Sequence, residues 1–197
     1  MSYIEFIGTI LYLSSVWLIS KKNMLTWPIG IFSVILYFFL FYQIQLYSDA
    51  IEQVYYLGAS FYGWWYWKKG LKDKDDTNII VKISDRKVIA LWVLSTCILS
   101  IIIGIFMRKI HITLPTLFPE PASYPFIDAL TTIMSFTAMF LMAQKRIESW
   151  VYWIIVDIIG IWLYYVKNVK FIALLYVILL VMAINGLRIW LKGLKLK

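Results

Sequence analysis

Apolar residues run along this chain in seven blocks separated by short polar breaks, each block near the ~20 residues that cross a bilayer core. The blocks are Tyr3 to Ser20, Met24 to Tyr42, Tyr47 to Trp67, Val88 to Met107, Phe126 to Ala143, Trp150 to Val166 and Phe171 to Leu191. All seven are predicted to be helices, because a backbone in lipid has to satisfy its own hydrogen bonds. One clear linker, Lys68 to Lys87, carries the charge run Lys72, Asp73, Lys74, Asp75, Asp76. A second break, Arg108 to Pro125, holds four of the five prolines.

The blocks are related. Leu18 to Gly70 aligns with Leu141 to Gly193 at a constant offset of 123 and without a gap, so that Trp27 falls on Trp150, Tyr42 on Tyr165, Gly63 on Gly186, Trp67 on Trp190 and Gly70 on Gly193. Each copy is a three-helix unit. Two such units joined directly would point in opposite directions, and the extra span between them reverses the chain once more. The expected plan is an all-α integral membrane protein of seven transmembrane helices in a 3+1+3 parallel repeat. Its parts are residues 1–70, a linker 71–125 containing the inverting helix 88–107, and residues 126–197. Internally duplicated membrane proteins are very often transporters with a solute site between the halves.

Composition agrees: 62% hydrophobic and only 15% charged residues are too apolar for a soluble domain of this length. The lone Cys97 and lone His111 cannot build a disulfide framework or a metal site, and no cofactor is implied. The basic excess sits in short loops, which argues for membrane orientation rather than nucleic acid. Fifteen of the nineteen Lys and Arg residues flank the ends of spans one, three, five and seven, which places the N-terminus outside and the C-terminus in the cytoplasm. Met1 to Ser20 has no basic n-region and no cleavage pattern, so the first block is expected to be a mature span.

Asp157 is the residue that composition does not explain. It lies inside span six, where a bare carboxylate costs a few kcal/mol, about 3, on insertion scales. Trp150, Trp153, Asp157 and Gly160 recur at spacings of three and four and share one helical stripe. Two indoles, a carboxylate and a glycine suit a flat cationic ring. Trp150 could equally belong to an aromatic belt, as could Trp27, Trp64, Trp65, Trp67 and Trp190 near the same span ends. Gln53, Tyr56 and Ser60 form a stripe with Gly63 and Trp67 on span three, and Ser33 and Tyr37 a weaker one with Phe41 on span two. Each serine is either a ligand contact or helix-to-helix glue. Gln53 and Asn185, the latter aligned with Tyr62 in the repeat, are counted with Tyr56 among the candidate substrate contacts. Asp128 opens span five and is a candidate outer gate, while Asp49 and Glu52 either face water or form an acidic mouth.

The run FYQIQLYSDAIEQVYYLGASFYGWWYW, the WxxW motif at Trp150 and Trp153 followed by Asp157, the PFID segment at Pro125 to Asp128 and the ending INGLRIW resemble the PnuC family of bacterial vitamin transporters. The resemblance implies a SWEET-like fold, a homotrimer in the bacterial inner membrane, and facilitated diffusion of nicotinamide riboside that a cytoplasmic kinase then traps. Thiamine or riboflavin are the alternative ligands. It also implies that WxxW is the substrate-binding signature. Family members often carry Asn at the positions of Asp157, Ser33 and Ser60, which leaves the ligand less defined than the fold. Nicotinamide riboside and thiamine each carry a fixed cation that Asp157 would match, whereas riboflavin is uncharged. Phosphorylated ligands are expected to fit poorly, since no deep Lys or Arg offsets Asp157. No GxxxxGK[ST] motif is present, and His111 lacks the partners an embedded enzyme would need.

Overall fold

The computed structural model describes residues 3–43, 47–72, 79–116, 121–168 and 170–195. They form seven helices: α1 Tyr3–Ser20, α2 Thr26–Gln43, α3 Tyr47–Lys72, α4 Arg86–Thr113, α5 Pro125–Ala143, α6 Glu148–Val166 and α7 Lys170–Lys195. Every predicted block is a helix, and α3, α4 and α7 extend past the apolar runs into their charged flanks. The charge run after Lys72 falls outside the described residues. By length and composition six helices can cross a membrane. The exception is α3, whose sequence includes Asp49, Glu52, Gln53 and the lysines of its last turns. That polarity marks a helix with interior business.

Local chemistry sets the reversals. Asn23 Oδ1 accepts from the Leu25 N–H at 2.9 Å just ahead of α2, and Pro125 stands in the first turn of α5, where its missing N–H is harmless. Lys22 and Lys145 both adopt left-handed backbone, at φ 58° and 62°, immediately after α1 and α5. They are equivalent under the offset of 123. Each ammonium crosses to the other unit, Lys22 lying over Gly193 and Lys145 over Gly70. The Lys145 ammonium also sits 5.4 Å from the Tyr66 ring centroid. Burial and the neighbouring Lys82 hold the Lys145 amine below the usual lysine range.

Consecutive helices pack within each unit, and the units meet where α3 lies on α5 and α1 on α7. On the face where α1, α3, α5 and α7 end, four tryptophans fill the centre. Trp27, Trp67, Trp150 and Trp190 are all at most 2% exposed. Trp27 meets Trp67 edge-on at 5.3 Å and Trp150 meets Trp190 edge-on at 5.5 Å, a repeat-related pair of pairs. The sequence leaves these four as candidates for an aromatic belt, and Trp150 equally for the site; they are core instead, and of the six belt candidates only Trp64 and Trp65 are exposed. Helical glycine makes the layer possible, because a Cβ on Gly63 or Gly186 would overlap the ring of Trp27 or Trp150.

The linker ahead of α4 is also more than a tether. Ile79 and Val81 are buried against the tryptophan cluster. Lys82 donates its N–H to Lys145 O at 2.9 Å and accepts from the Ile147 N–H at 3.0 Å, while the Ser84 N–H bonds to the Glu148 carboxylate. Residues 79–84 thus strap the first unit's exit to the α5–α6 turn of the second. Helix α4 packs on α5, with Phe126 seated against Gly104 and Thr96 in contact with Thr137 and Tyr152 at 3.3 and 3.4 Å.

Candidate functional site

Polar side chains from five helices converge above the tryptophan layer. Asp157 is 3% exposed, and among the described residues no ion pair or hydrogen bond reaches it. Tyr12 of α1 and Tyr176 of α7 lie within electrostatic reach of its carboxylate. Tyr56 of α3 lies within electrostatic reach of both tyrosines, with Ser135 of α5 beside it. Tyr176 packs against Gly160 one turn beyond Asp157, and Tyr164 stacks on Tyr176 at 5.4 Å. Glycine at 160 is therefore what lets α7 bring a phenol beside the carboxylate.

Helical rise places these groups in layers. Counting from the face where α1, α3, α5 and α7 begin, Tyr12, Tyr56 and Asp157 all lie ~14 Å deep at 1.5 Å per residue. Glu52 and Tyr176 lie ~8 to 9 Å deep and Trp153 ~20 Å deep on the same count. The Glu52 Oε1 accepts from Thr132 Oγ1 at 3.0 Å. Glu52 couples electrostatically to Tyr56 and Tyr176. Of the two readings of Glu52, facing water or forming an acidic mouth, the first gives way, since its carboxylate is held across the units by Thr132. Nearer the surface, Lys167 pairs with Asp128 at 3.3 Å, each side chain about a third exposed, and Lys167 also covers the Tyr124 ring.

The sequence-predicted residues divide sharply. Trp153, Asp157, Tyr56 and Gln53 are buried or half-buried on helices that border the polar interior. Ser60 is 2% exposed on the Tyr56 face of α3. Ser33 is glue, donating to Gly8 O at 2.9 Å between α2 and α1. Tyr37 is engaged the same way, its hydroxyl 2.8 Å from Thr9 Oγ1 and its ring stacked on Phe41. Trp150, although on the Asp157 stripe, is closed into the tryptophan layer against Gly186, and its indole N–H has no partner among the described residues. Asn185 is exposed, in line with Leu174, Ile178 and Val181 on the outward stripe of α7, so the structure removes it from the interior. Its alignment with Tyr62 carried no information about which face it takes.

Tyr12, Tyr176, Glu52 and Thr132 are the interior residues that the motifs did not single out. The signal for Tyr176 was available, because it falls on Gln53 at the offset of 123. Tyr12 lies ahead of the clearest part of the repeat and has no such marker.

The profile of the family described as nicotinamide mononucleotide transporter matches residues 2–192 of this chain. The nicotinamide riboside transporter PnuC of Escherichia coli K12 is 29% identical over 209 residues, covering 98% of this chain and 87% of that protein. The riboflavin/roseoflavin transporter RibM of Streptomyces davaonensis is 23% identical, covering 94% of this chain and 83% of its own length. The crystal structure of the vitamin B3 transporter PnuC superposes with a TM-score of 0.74 at 22% identity, over 98% of this chain and 83% of that one, and so shares the fold. With a match that runs nearly from end to end, an all-helical fold and a repeat that is read at the level of individual tryptophans, the chain belongs to the nicotinamide mononucleotide transporter family.

Proposed function

We propose that this protein carries nicotinamide riboside across the bacterial inner membrane by facilitated diffusion. One observation carries the reading: Asp157 is a buried carboxylate that no cation pairs with among the described residues, set among aromatic rings. A permanently charged pyridinium supplies the missing counter-charge, and Trp153 supplies a stacking face. Tyr12, Tyr56, Tyr176 and Gln53 offer hydrogen bonds to the rest of the ligand. The relatives named as nicotinamide riboside transporters support the choice of vitamin.

In this reading the two three-helix units rock about the α3–α5 and α1–α7 contacts in the manner of a SWEET-like carrier. The face with Asp128 is outside, as is the N-terminus, and the tryptophan face is cytoplasmic. That assignment follows the Lys and Arg bias. Asp128 and Lys167 then stand at the outer gate. A homotrimer, and a cytoplasmic kinase that traps the product, complete the proposal on the strength of the family resemblance.

Uptake of labelled nicotinamide riboside into proteoliposomes, with tryptophan fluorescence as the binding readout, tests it. Saturable, gradient-driven flux supports the proposal. Binding without flux would make the protein a sensor, and flux of thiamine alone would make thiamine the substrate.

A further inference from the structure

Asp157 gives the cationic ring a partner, and Glu52 is a second interior carboxylate that this pairing does not use. On α3, Glu52, Tyr56, Ser60, Gly63 and Trp67 follow spacings of four, four, three and four, while Ile51, Val54, Phe61 and Trp65 on the other side are exposed. Glu52 therefore faces the same interior as Tyr56 and Ser60. Thr132 of the opposite unit holds it with one hydrogen bond. A carboxylate has about four acceptor positions, so most of its capacity is left for a ligand.

Its depth is informative. Glu52 lies ~6 Å closer to the Asp128 face than Asp157 does, by helical rise, and Tyr176 is coupled to both carboxylates. A nucleoside whose ring sits on Trp153 with its charge near Asp157 extends its sugar toward Glu52. Carboxylates accept well from sugar hydroxyls. They repel phosphate, and here the repulsion is reinforced, since Asp49 couples to Glu52 while Lys167 is engaged by Asp128. We infer that Glu52, positioned by Thr132, is the specificity-determining group for the sugar end of the ligand, accepting free hydroxyls and rejecting a phosphate. This rests on the placement of the ring at Trp153 and Asp157.

The test compares nicotinamide riboside with nicotinamide mononucleotide, two ligands with the same ring, by competition on the full chain at pH 8. Glu52→Gln is expected to weaken the riboside several-fold and to narrow the riboside-to-mononucleotide preference by about tenfold, the size of one charge-assisted contact. Thr132→Val should shift the preference in the same direction and Thr132→Ser should restore it, which separates positioning from misfolding. Asp157→Asn should weaken both ligands and leave the ratio alone, because the rejection of phosphate that the sequence assigns to Asp157 is here assigned to Glu52. An unchanged ratio in Glu52→Gln overturns the inference. If the wild-type protein binds thiamine rather than the riboside, the proposed vitamin is wrong, and thiamine against thiamine monophosphate then tests Glu52 by the same ratio. A wild-type protein that binds neither vitamin overturns both.

Discussion

Trp67 and Trp190 face each other across the interface of the two units at 6.4 Å, and each donates its indole N–H to a carbonyl of the other unit: Trp67 to Ala143 at 3.0 Å and Trp190 to Ile19 at 3.2 Å. The two residues are equivalent under the offset of 123, and their acceptors are equivalent to within one position. A duplicated sequence has thus produced a reciprocal clasp. Replacing either by Phe leaves a buried carbonyl without its donor and should cost about 2 kcal/mol. Because the rings touch, the double variant should depart from additivity by roughly 0.5 to 1 kcal/mol. Thermal unfolding in detergent, arranged as a double-mutant cycle, measures both quantities. Strictly additive losses would mean that the indoles act separately.

Glycine substitutions provide a sharper contrast. Gly63→Ala and Gly186→Ala drive a methyl group into Trp27 and Trp150, which are too buried to yield, and each should cost about 1 to 3 kcal/mol. Gly58 lies on the same helix as Gly63 with nothing within 4 Å of its would-be Cβ. Gly58→Ala should be neutral or stabilise by up to ~1 kcal/mol through helix propensity. Equal melting temperatures for the three variants would contradict the packing described.

How far the sequence carries the reading depends on what a pattern encodes. Helix positions were legible because lipid demands long apolar runs, and the repeat was legible because Trp27, Gly63 and Trp67 recur with their partners. The facing of single residues was less so. Trp150 and Asp157 share a stripe, yet the helix buries one in a packing layer and turns the other to the polar interior, because Gly186 opens a slot for the indole. Ser33 and Asn185 are small polar residues in apolar runs; one bonds Gly8 and the other points outward, and hydropathy is blind to the difference. Glu52 reads from the sequence as either a surface charge or part of an acidic mouth because it stands near a helix end. Only its contact with Thr132 of α5, eighty positions away, shows that the end is covered.

The Asp128 and Lys167 pair should matter little for folding. Both side chains are about a third exposed, so Lys167→Gln should change stability by no more than ~0.5 kcal/mol. Its effect on transport should be larger if the pair stands at the entrance. Freed of its lysine, Asp128 would attract a cationic substrate more strongly, and initial uptake at low substrate should rise at low ionic strength and fall back as salt screens the charge. Uptake with the same salt dependence as the wild-type protein would remove Asp128 from the entrance.

The WxxW stripe itself can be split by mutation. Trp150→Phe removes ring atoms from a closed layer, so it should destabilise by about 1 to 3 kcal/mol while ligand affinity stays within roughly twofold. Trp153 is half-buried between the two hydrophobic clusters and borders the polar interior. Trp153→Ala should cost tenfold or more in affinity, about the 1 to 2 kcal/mol of a lost cation–π face. Asp157→Asn keeps the shape of the side chain and removes the charge. It should leave the fold intact, since an amide of the same shape replaces a buried carboxyl group, and it should weaken a cationic vitamin by about 1 to 3 kcal/mol while sparing a neutral one. Titrating each variant with nicotinamide riboside and with riboflavin, alongside its melting temperature, separates packing from recognition. Loss of binding in Trp150→Phe at undiminished stability would return that indole to the site, and undiminished binding in Asp157→Asn would leave the carboxylate without a role in holding the ligand.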